Sequence, residues 1–237
     1  MNDAVGPRQE PLQLAAPRAR GDAGVTPLHY LRFRPRGYGD DPQRRWPLVL
    51  FLHGAGERGS ALNAIKRHGI PRVVEEGPPE RFPFLAVSPQ CPRGSWWTDE
   101  LPALDELLRH TQATERVDPD RVLVTGMSMG GYGTWALAIT HPERFAAIAP
   151  VCGGGSAPGA PRIAHLPICA FHGGRDYVVP PSASEEMVEA LRRAGGAPRF
   201  TVYPELAHDS WTRAYGDPEL YTWLLAQRRA VRQDPRP

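Results

Sequence analysis

The sequence predicts a mostly parallel β-sheet covered by helices on both faces. Three observations carry that expectation. Short uninterrupted apolar runs recur along the chain, as in strands buried on both sides. Segments with helical apolar spacing alternate with them, which is the order of a parallel sheet. One run also ends in Gly126-Met127-Ser128-Met129-Gly130, and a helical segment follows at once.

Taken in order, residues 1–24 are rich in Pro, Arg, Ala and Gly and read as a poorly ordered lead-in, with one edge strand near Leu12 to Leu14. His29 to Phe33 alternates with Arg, a strand with one solvated face. Pro35 to Pro47 is a turn or loop. Leu48 to Leu52 is a continuous apolar run closed by His53-Gly54, and Phe84 to Val87 is a second, bounded by prolines. Leu101, Leu104, Leu107 and Leu108 set a helical period over Leu101 to His110. Arg121 to Thr125 is a strand, and Gly131 to Thr140 is an Ala/Leu/Trp-rich helix. Phe145 to Val151 and Ile168 to Phe171 are further buried strands. Ser182 to Ala194 is an amphipathic helix, with Ser182 or Ser184 as N-cap and Gly195-Gly196 as its stop. Phe200 to Tyr203 is the last strand, ended by Pro204, and Leu220 to Arg229 is a terminal helix. No internal repeat or composition break divides the chain. Residues 25–230 are therefore expected to form a single domain, with 231–237 as a tail.

Composition narrows the function classes. The 237 residues carry 28 basic and 26 acidic side chains, a formal charge of +2, with the signs interspersed. Neither a nucleic-acid partner nor an anionic membrane has support in that balance. With 24 Gly and 27 Pro, the chain stays below the roughly 25–30% that marks low complexity. Three cysteines, Cys91, Cys152 and Cys169, form no CxxC; Cys152 and Cys169 sit in apolar segments and read as reduced core thiols. No apolar run reaches the roughly 18 residues that a membrane span needs. The N-terminus lacks the apolar core of a signal peptide. A reducing cytoplasm is the expected setting. No metal or cofactor is expected, since no His/Cys/Asp/Glu cluster has ligand spacing. A homodimer is left open.

The chemistry is expected at the Gly-x-Ser-x-Gly turn. A nucleophile in so tight a turn needs small residues two before and two after it, which Gly126 and Gly130 provide. Gly131 extends the small surface and lets the helix pack closely. Ser128 then points away from the sheet at the positive end of the next helix. A Ser hydroxyl needs a base, and the base needs an orienting carboxylate. His208, in Ala207-His208-Asp209-Ser210-Trp211, follows the last strand. Asp176, in His172-Gly173-Gly174-Arg175-Asp176, follows the preceding one. Each gap has room for one β-α unit, so all three would lie on one sheet edge. Asp209, adjacent to His208, is poorly placed to reach its Nδ1. His53 and His172 read as strand-end residues behind the site. The two oxyanion donors are expected to be the backbone N–H groups of Met129 and Ala55, with Gly56 as an alternative to Ala55.

Gly54-Ala55-Gly56-Glu57-Arg58-Gly59 is also a G-x-G-x-x-G directly after a strand, which would suit a dinucleotide. The strand after it ends Val87-Ser88-Pro89-Gln90, without the acid that would hold a ribose. The same loop serves the oxyanion reading, which explains both features.

Together PLVLFLHGAGERG, SPQCP, DPDRVLVTGMSMGGYGTWALA, FHGGRDYVVP and YPELAHDSW resemble the α/β-hydrolase superfamily. Within it the chain is similar to the dienelactone-hydrolase and polyhydroxybutyrate-depolymerase-like serine esterases, over roughly His29 to Gln227. The resemblance implies Ser128, Asp176 and His208 as a triad, with Ala55 and Met129 at the oxyanion hole. Dienelactone hydrolases proper use Cys where this chain has Ser128, so the dienelactone substrate does not carry over. The implied activity is hydrolysis of small or short-acyl carboxylic esters. A peptidase or thioesterase on the same triad is the alternative, and a nucleotide binder the least favoured. Only Gly153 to Leu166 separates the sixth and seventh strands, so no sizeable lid is expected. Gly54, Gly56, Trp96 and Trp97 are expected to line the substrate site, and Trp211 to brace the base.

Overall fold

The computed structural model describes residues 8–17, 25–78 and 82–229. In chain order its elements are β1 (Gln9–Pro17), β2 (Val25–Phe33), β3 (Trp46–Leu52), α1 (Gly69–Glu76), β4 (Leu85–Pro89), α2 (Leu101–Thr114), β5 (Val117–Met127), α3 (Met129–Thr140), β6 (Ala147–Val151), β7 (Cys169–Gly173), α4 (Ser182–Arg193), β8 (Arg199–Tyr203), α5 (Trp211–Gly216) and α6 (Pro218–Ala226). Short 3-10 turns join several of them.

The strands form one sheet in the order β1-β2-β4-β3-β5-β6-β7-β8. The pairs β1–β2 and β2–β4 are antiparallel, and the other neighbours are parallel. This is the mostly parallel sheet that the buried apolar runs imply. Its strands divide their side chains between two cores. In β3, Leu48, Leu50 and Leu52 face one layer, with Leu104 and Leu107 of α2, Trp135 and Leu137 of α3, and Met187 and Leu191 of α4. Val49 and Phe51 face the other, with Ile70 and Val74 of α1, Tyr215 of α5, and Leu220 and Leu224 of α6. Burying a residue such as Leu or Phe is worth about 1.5–3 kcal/mol, so β3, buried along its whole length, anchors both layers. The chain turns from β4 on one side of β3 to β5 on the other, a switch of winding direction. In open α/β sheets such a switch opens a crevice at the strand C-termini.

Several expectations shift. The edge strand expected near Leu12 to Leu14 is present but longer: β1 has nine residues, pairs with β2 along its length and covers the core with Leu12 and Leu14. Residues 1–7, 18–24 and 230–237, including the expected tail, lie outside the described residues. Helix α4 begins at Ser182 but has Pro181 as N-cap and no side-chain cap; Ser184 is turned inward instead. Its stop is as read: Gly195 has φ +84°, and the Gly196 N–H donates to Leu191 O at 2.9 Å. The terminal helix starts earlier than expected, at Pro218, where Asp217 accepts the Glu219 N–H. Between β6 and β7 there is only a 3-10 segment at Ala157–Ile163. Among the described residues no helix is long and apolar enough to cross a membrane.

Candidate active site

Ser128 lies between β5 and α3 with φ 54° and ψ −117°. A side chain resists that conformation, and the sequence relieves the crowding around it with glycines. A Cβ on Gly126 would approach Leu52 O to 2.7 Å, and one on Gly131 would approach Val151 O to 2.6 Å. One on Gly130 would overlap the Leu52 carbonyl. The start of α3 can therefore rest directly on the ends of β3 and β6. The Ser128 N–H donates to Val151 O at 2.9 Å, which ties the turn to β6.

Three loops converge on this turn. His208, after β8, brings Nε2 to 2.9 Å from Ser128 Oγ. Asp176, after β7, brings Oδ2 to 2.7 Å from His208 Nδ1. Oδ1 of Asp176 accepts the N–H groups of Val178 and Val179, each at 2.9 Å. Burial would raise the Asp176 carboxyl, but the hydrogen bonds from His208, Val179 and Val178 prevail and hold it below its ordinary value. The rival Asp209 is exposed and is not the partner of His208. Ser128 and His208 are partly exposed while Asp176 is buried, so the chain of contacts runs from the surface inward. Trp211 stands edge-on to His208, ring centroids 5.2 Å apart, and edge-on to His68 on its other side.

The loop after β3 lies beside the turn, with Gly54 against Met127. Ala55 begins a 3-10 turn and Met129 begins α3, so neither N–H has a partner within its own helix. Gly54 is buried and Gly56 is exposed. His53 anchors the loop. The Cys91 N–H donates to His53 Nε2 at 2.9 Å, so the ring proton sits on Nδ1 and reaches Gly54 O at 2.6 Å. Burial pushes His53 down to about 4, keeping it neutral. Arg58 donates to Ala55 O and to Ser95 O, and its guanidinium stands near the Trp96 ring. Burial pushes the Glu57 carboxyl above its ordinary value.

The two adjacent tryptophans part company. Trp96 is 46% exposed, with the Arg58 guanidinium near its ring. Trp97, expected to wall the substrate site, is fully buried. Its indole N–H donates to His53 O at 2.9 Å, and its ring packs edge-on against His53, where only Gly133 leaves room. It is core, not pocket. The glycine loop opens no long helix, unlike a dinucleotide crossover; only 3-10 turns follow it until α1 begins at Gly69.

Two residues close to the Ser128–His208–Asp176 contacts escaped the sequence reading. Cys152, with φ 41°, lies so that its Sγ, an Asp176 oxygen and a His208 nitrogen fall within 4.8 Å of one another. Linear spacing could not show this grouping, because three different loops supply it. Its Asp and His atoms are already joined to each other, and burial pushes the thiol up to about 12. Ser184 contacts His172, which lies 3.3 Å from Asp176. A groove of about 830 Å³ runs between α1, α5 and α6, lined by Val73, Phe82, Trp211, Tyr215 and Tyr221. It meets the site at Trp211 and does not include Ser128.

Residues 95–217 match the dienelactone hydrolase family. The chain is 25% identical over 228 residues to poly(3-hydroxyalkanoate) depolymerase C of Paucimonas lemoignei, covering 76% of this chain and 53% of that one. It is 31% identical over 212 residues to a Nocardia uniformis subsp. tsuyamanensis protein whose name, esterase NocK, is itself provisional (74% of this chain, 58% of that one). The chain thus spans little more than half the length of these relatives. The crystal structure of a thermostable esterase superposes with a TM-score of 0.79 at 31% identity, over 94% of this chain and 64% of that one.

Proposed function

The chain belongs to the dienelactone hydrolase family, and from that premise we propose that it is a serine carboxylesterase of small or short-acyl esters. The observation that carries the reading is the continuous path Ser128 Oγ–His208–Asp176 on a strained strand-to-helix turn. His208 takes the Ser128 proton as Oγ attacks the ester carbonyl carbon. Asp176 holds the imidazole with Nε2 toward Ser128 and balances the imidazolium that forms. The N–H groups of Met129 and Ala55 receive the tetrahedral oxyanion. The C–O bond to the alcohol then breaks, and His208 returns its proton to the departing oxygen. Water repeats the sequence on the acyl-enzyme and releases the acid.

The absence of a helical cap between β6 and β7 among the described residues supports an open mouth, with Trp96 at its rim. The nucleophile is Ser and not Cys, and the neighbouring Cys152 thiol is held protonated by burial.

The test is hydrolysis of p-nitrophenyl acetate beside Ser128→Ala, followed by matched ester, thioester and amide substrates. Turnover should fall by several orders of magnitude in the variant, leaving at most about 10³–10⁴-fold over water. Equal slow release by both proteins would reject Ser128. Faster turnover of the thioester or amide would move the substrate class while leaving the triad.

A further inference from the structure

We propose that His172 is a buried imidazolium that holds the far side of the Asp176 carboxylate as a fixed countercharge. The proposal comes from counting protons. The ring has no exposed surface. Its Nε2 lies 2.9 Å from Val179 O and 3.3 Å from Asp176 Oδ2, and both neighbours are acceptors, so Nε2 carries a proton. Its Nδ1 lies 2.7 Å from Ser184 Oγ. That hydroxyl lies in turn 3.0 Å from Gly153 O, which can only accept. The path from Val179 O to Gly153 O therefore has three contacts, and each needs one hydrogen.

A neutral imidazole and a hydroxyl supply only two. With Nδ1 bare, the Ser184 proton must choose. Given to Nδ1, it leaves two oxygens 3.0 Å apart with nothing between them. Given to Gly153 O, it leaves Nδ1 facing a lone pair at 2.7 Å. Ser184 and His172 are both buried, so bulk water does not reach either contact. A second ring proton satisfies all three contacts, and the adjacent carboxylate balances the charge. Of the titratable groups nearby, Cys152 and Tyr132 feel the Asp176 charge, Glu186 acts on Tyr132, Asp209 acts on Cys152, and His208 bonds the Asp176 carboxylate. None of them is a hydrogen-bond partner of the ring among the described residues. Burial favours the neutral forms of Cys152 and Tyr132. Asp176 is thus the anion at hand.

The same geometry gives His172 a positioning role, which rests on the proposed esterase reading. Asp176 Oδ2 is shared between His208 Nδ1 at 2.7 Å and His172 Nε2 at 3.3 Å. A cation behind the carboxylate draws its charge away from His208 and so disfavours a proton on the base. Removing that cation should move the acid limb of kcat/KM to higher pH, by about one pH unit.

Nitrogen-detected histidine NMR tests the proton count without reference to activity. The His172 signal is assigned by its loss in His172→Gln. At about pH 7.5 both of its nitrogens should carry protons, whereas a free His would be mostly neutral. Ser184→Ala removes the Nδ1 acceptor and should return one bare nitrogen at the same pH. One bare nitrogen in the wild type would overturn the proposal, and so would two protonated nitrogens in Ser184→Ala. The pH profile of His172→Gln then tests the positioning role, and the Ser184→Ala profile repeats the test should the Gln variant fail to fold. A uniform loss of rate with an unmoved acid limb would reduce His172 to a packing residue. Absence of any hydrolysis by the wild type would reject the esterase reading and leave the NMR result standing.

Discussion

Ser128→Gly should leave the protein more stable than Ser128→Ala. The backbone at Ser128, φ 54° and ψ −117°, is that of the first central residue of a type II′ turn, a conformation glycine adopts without steric cost. Both variants lose Oγ and its contact with His208, so that loss cancels between them. Both keep the N–H of residue 128 on Val151 O. What differs is the Cβ. Retained in Ala, it keeps about 1–3 kcal/mol of backbone strain. Its removal costs about 0.5–1 kcal/mol in unfolded-chain entropy. Taking the middle of each range, the glycine variant should be the more stable by about 1 kcal/mol. At roughly 2–4 °C per kcal/mol for a chain of this size, that is about 2–4 °C in melting temperature. Thermal and urea unfolding of the two purified variants side by side would measure it. An alanine variant as stable as the glycine variant, or more so, would refute the claim that this turn stores strain.

The two tryptophans should separate in the same assays. Trp97→Ala removes a fully buried ring and should cost about 3–5 kcal/mol, while Trp96→Ala should change stability by less than about 0.5 kcal/mol and act on KM. Similar unfolding midpoints for the two variants would contradict this division. Gly130→Ala places a Cβ against the Leu52 carbonyl and should cost at least about 1–3 kcal/mol and lower kcat, read by urea unfolding and ester hydrolysis together. His53 supplies a pH dependence. Its native pKa is depressed to about 4, so the unfolded chain takes up the proton first as the pH falls below about 6.5. The stability it contributes is full above that value and is lost on the way down to about 4, up to about 3 kcal/mol. Urea unfolding across that range should show a shallower fall in His53→Gln, and parallel curves would remove His53 as the cause.

The grouping of Ser128, His208 and Asp176 was more legible in the sequence than the boundaries of the elements. Ser128 and Asp176 follow the buried strands β5 and β7, His208 follows the part-exposed edge strand β8, and parallel strands deliver their following loops to one sheet edge. The early strand was legible only near Leu12 to Leu14 and not over its full length, because β1 is an edge strand whose exposed residues blur its alternation. Helix α1 has no counterpart in the sequence reading, because Gly69 and Pro71 weaken the helical signal at its start. In the fold Gly69 has φ +61° and lies where Phe51 leaves no room for a Cβ. Two adjacent, chemically identical tryptophans carry no local signal of which one faces inward; only the room left by Gly133 and the acceptor at His53 O decide it. Cys152 and the His172–Ser184 pair reach Asp176 through tertiary packing, which linear spacing does not encode.

The most direct test of the central claim is to treat the protein with an active-site-directed fluorophosphonate and locate the adduct by peptide mass spectrometry. The account predicts a single rapid adduct on the peptide containing Ser128, absent in Ser128→Ala and strongly slowed in His208→Ala, because His208 Nε2 takes the Oγ proton. An adduct on another residue, or labelling of Ser128 that is indifferent to His208, would contradict it.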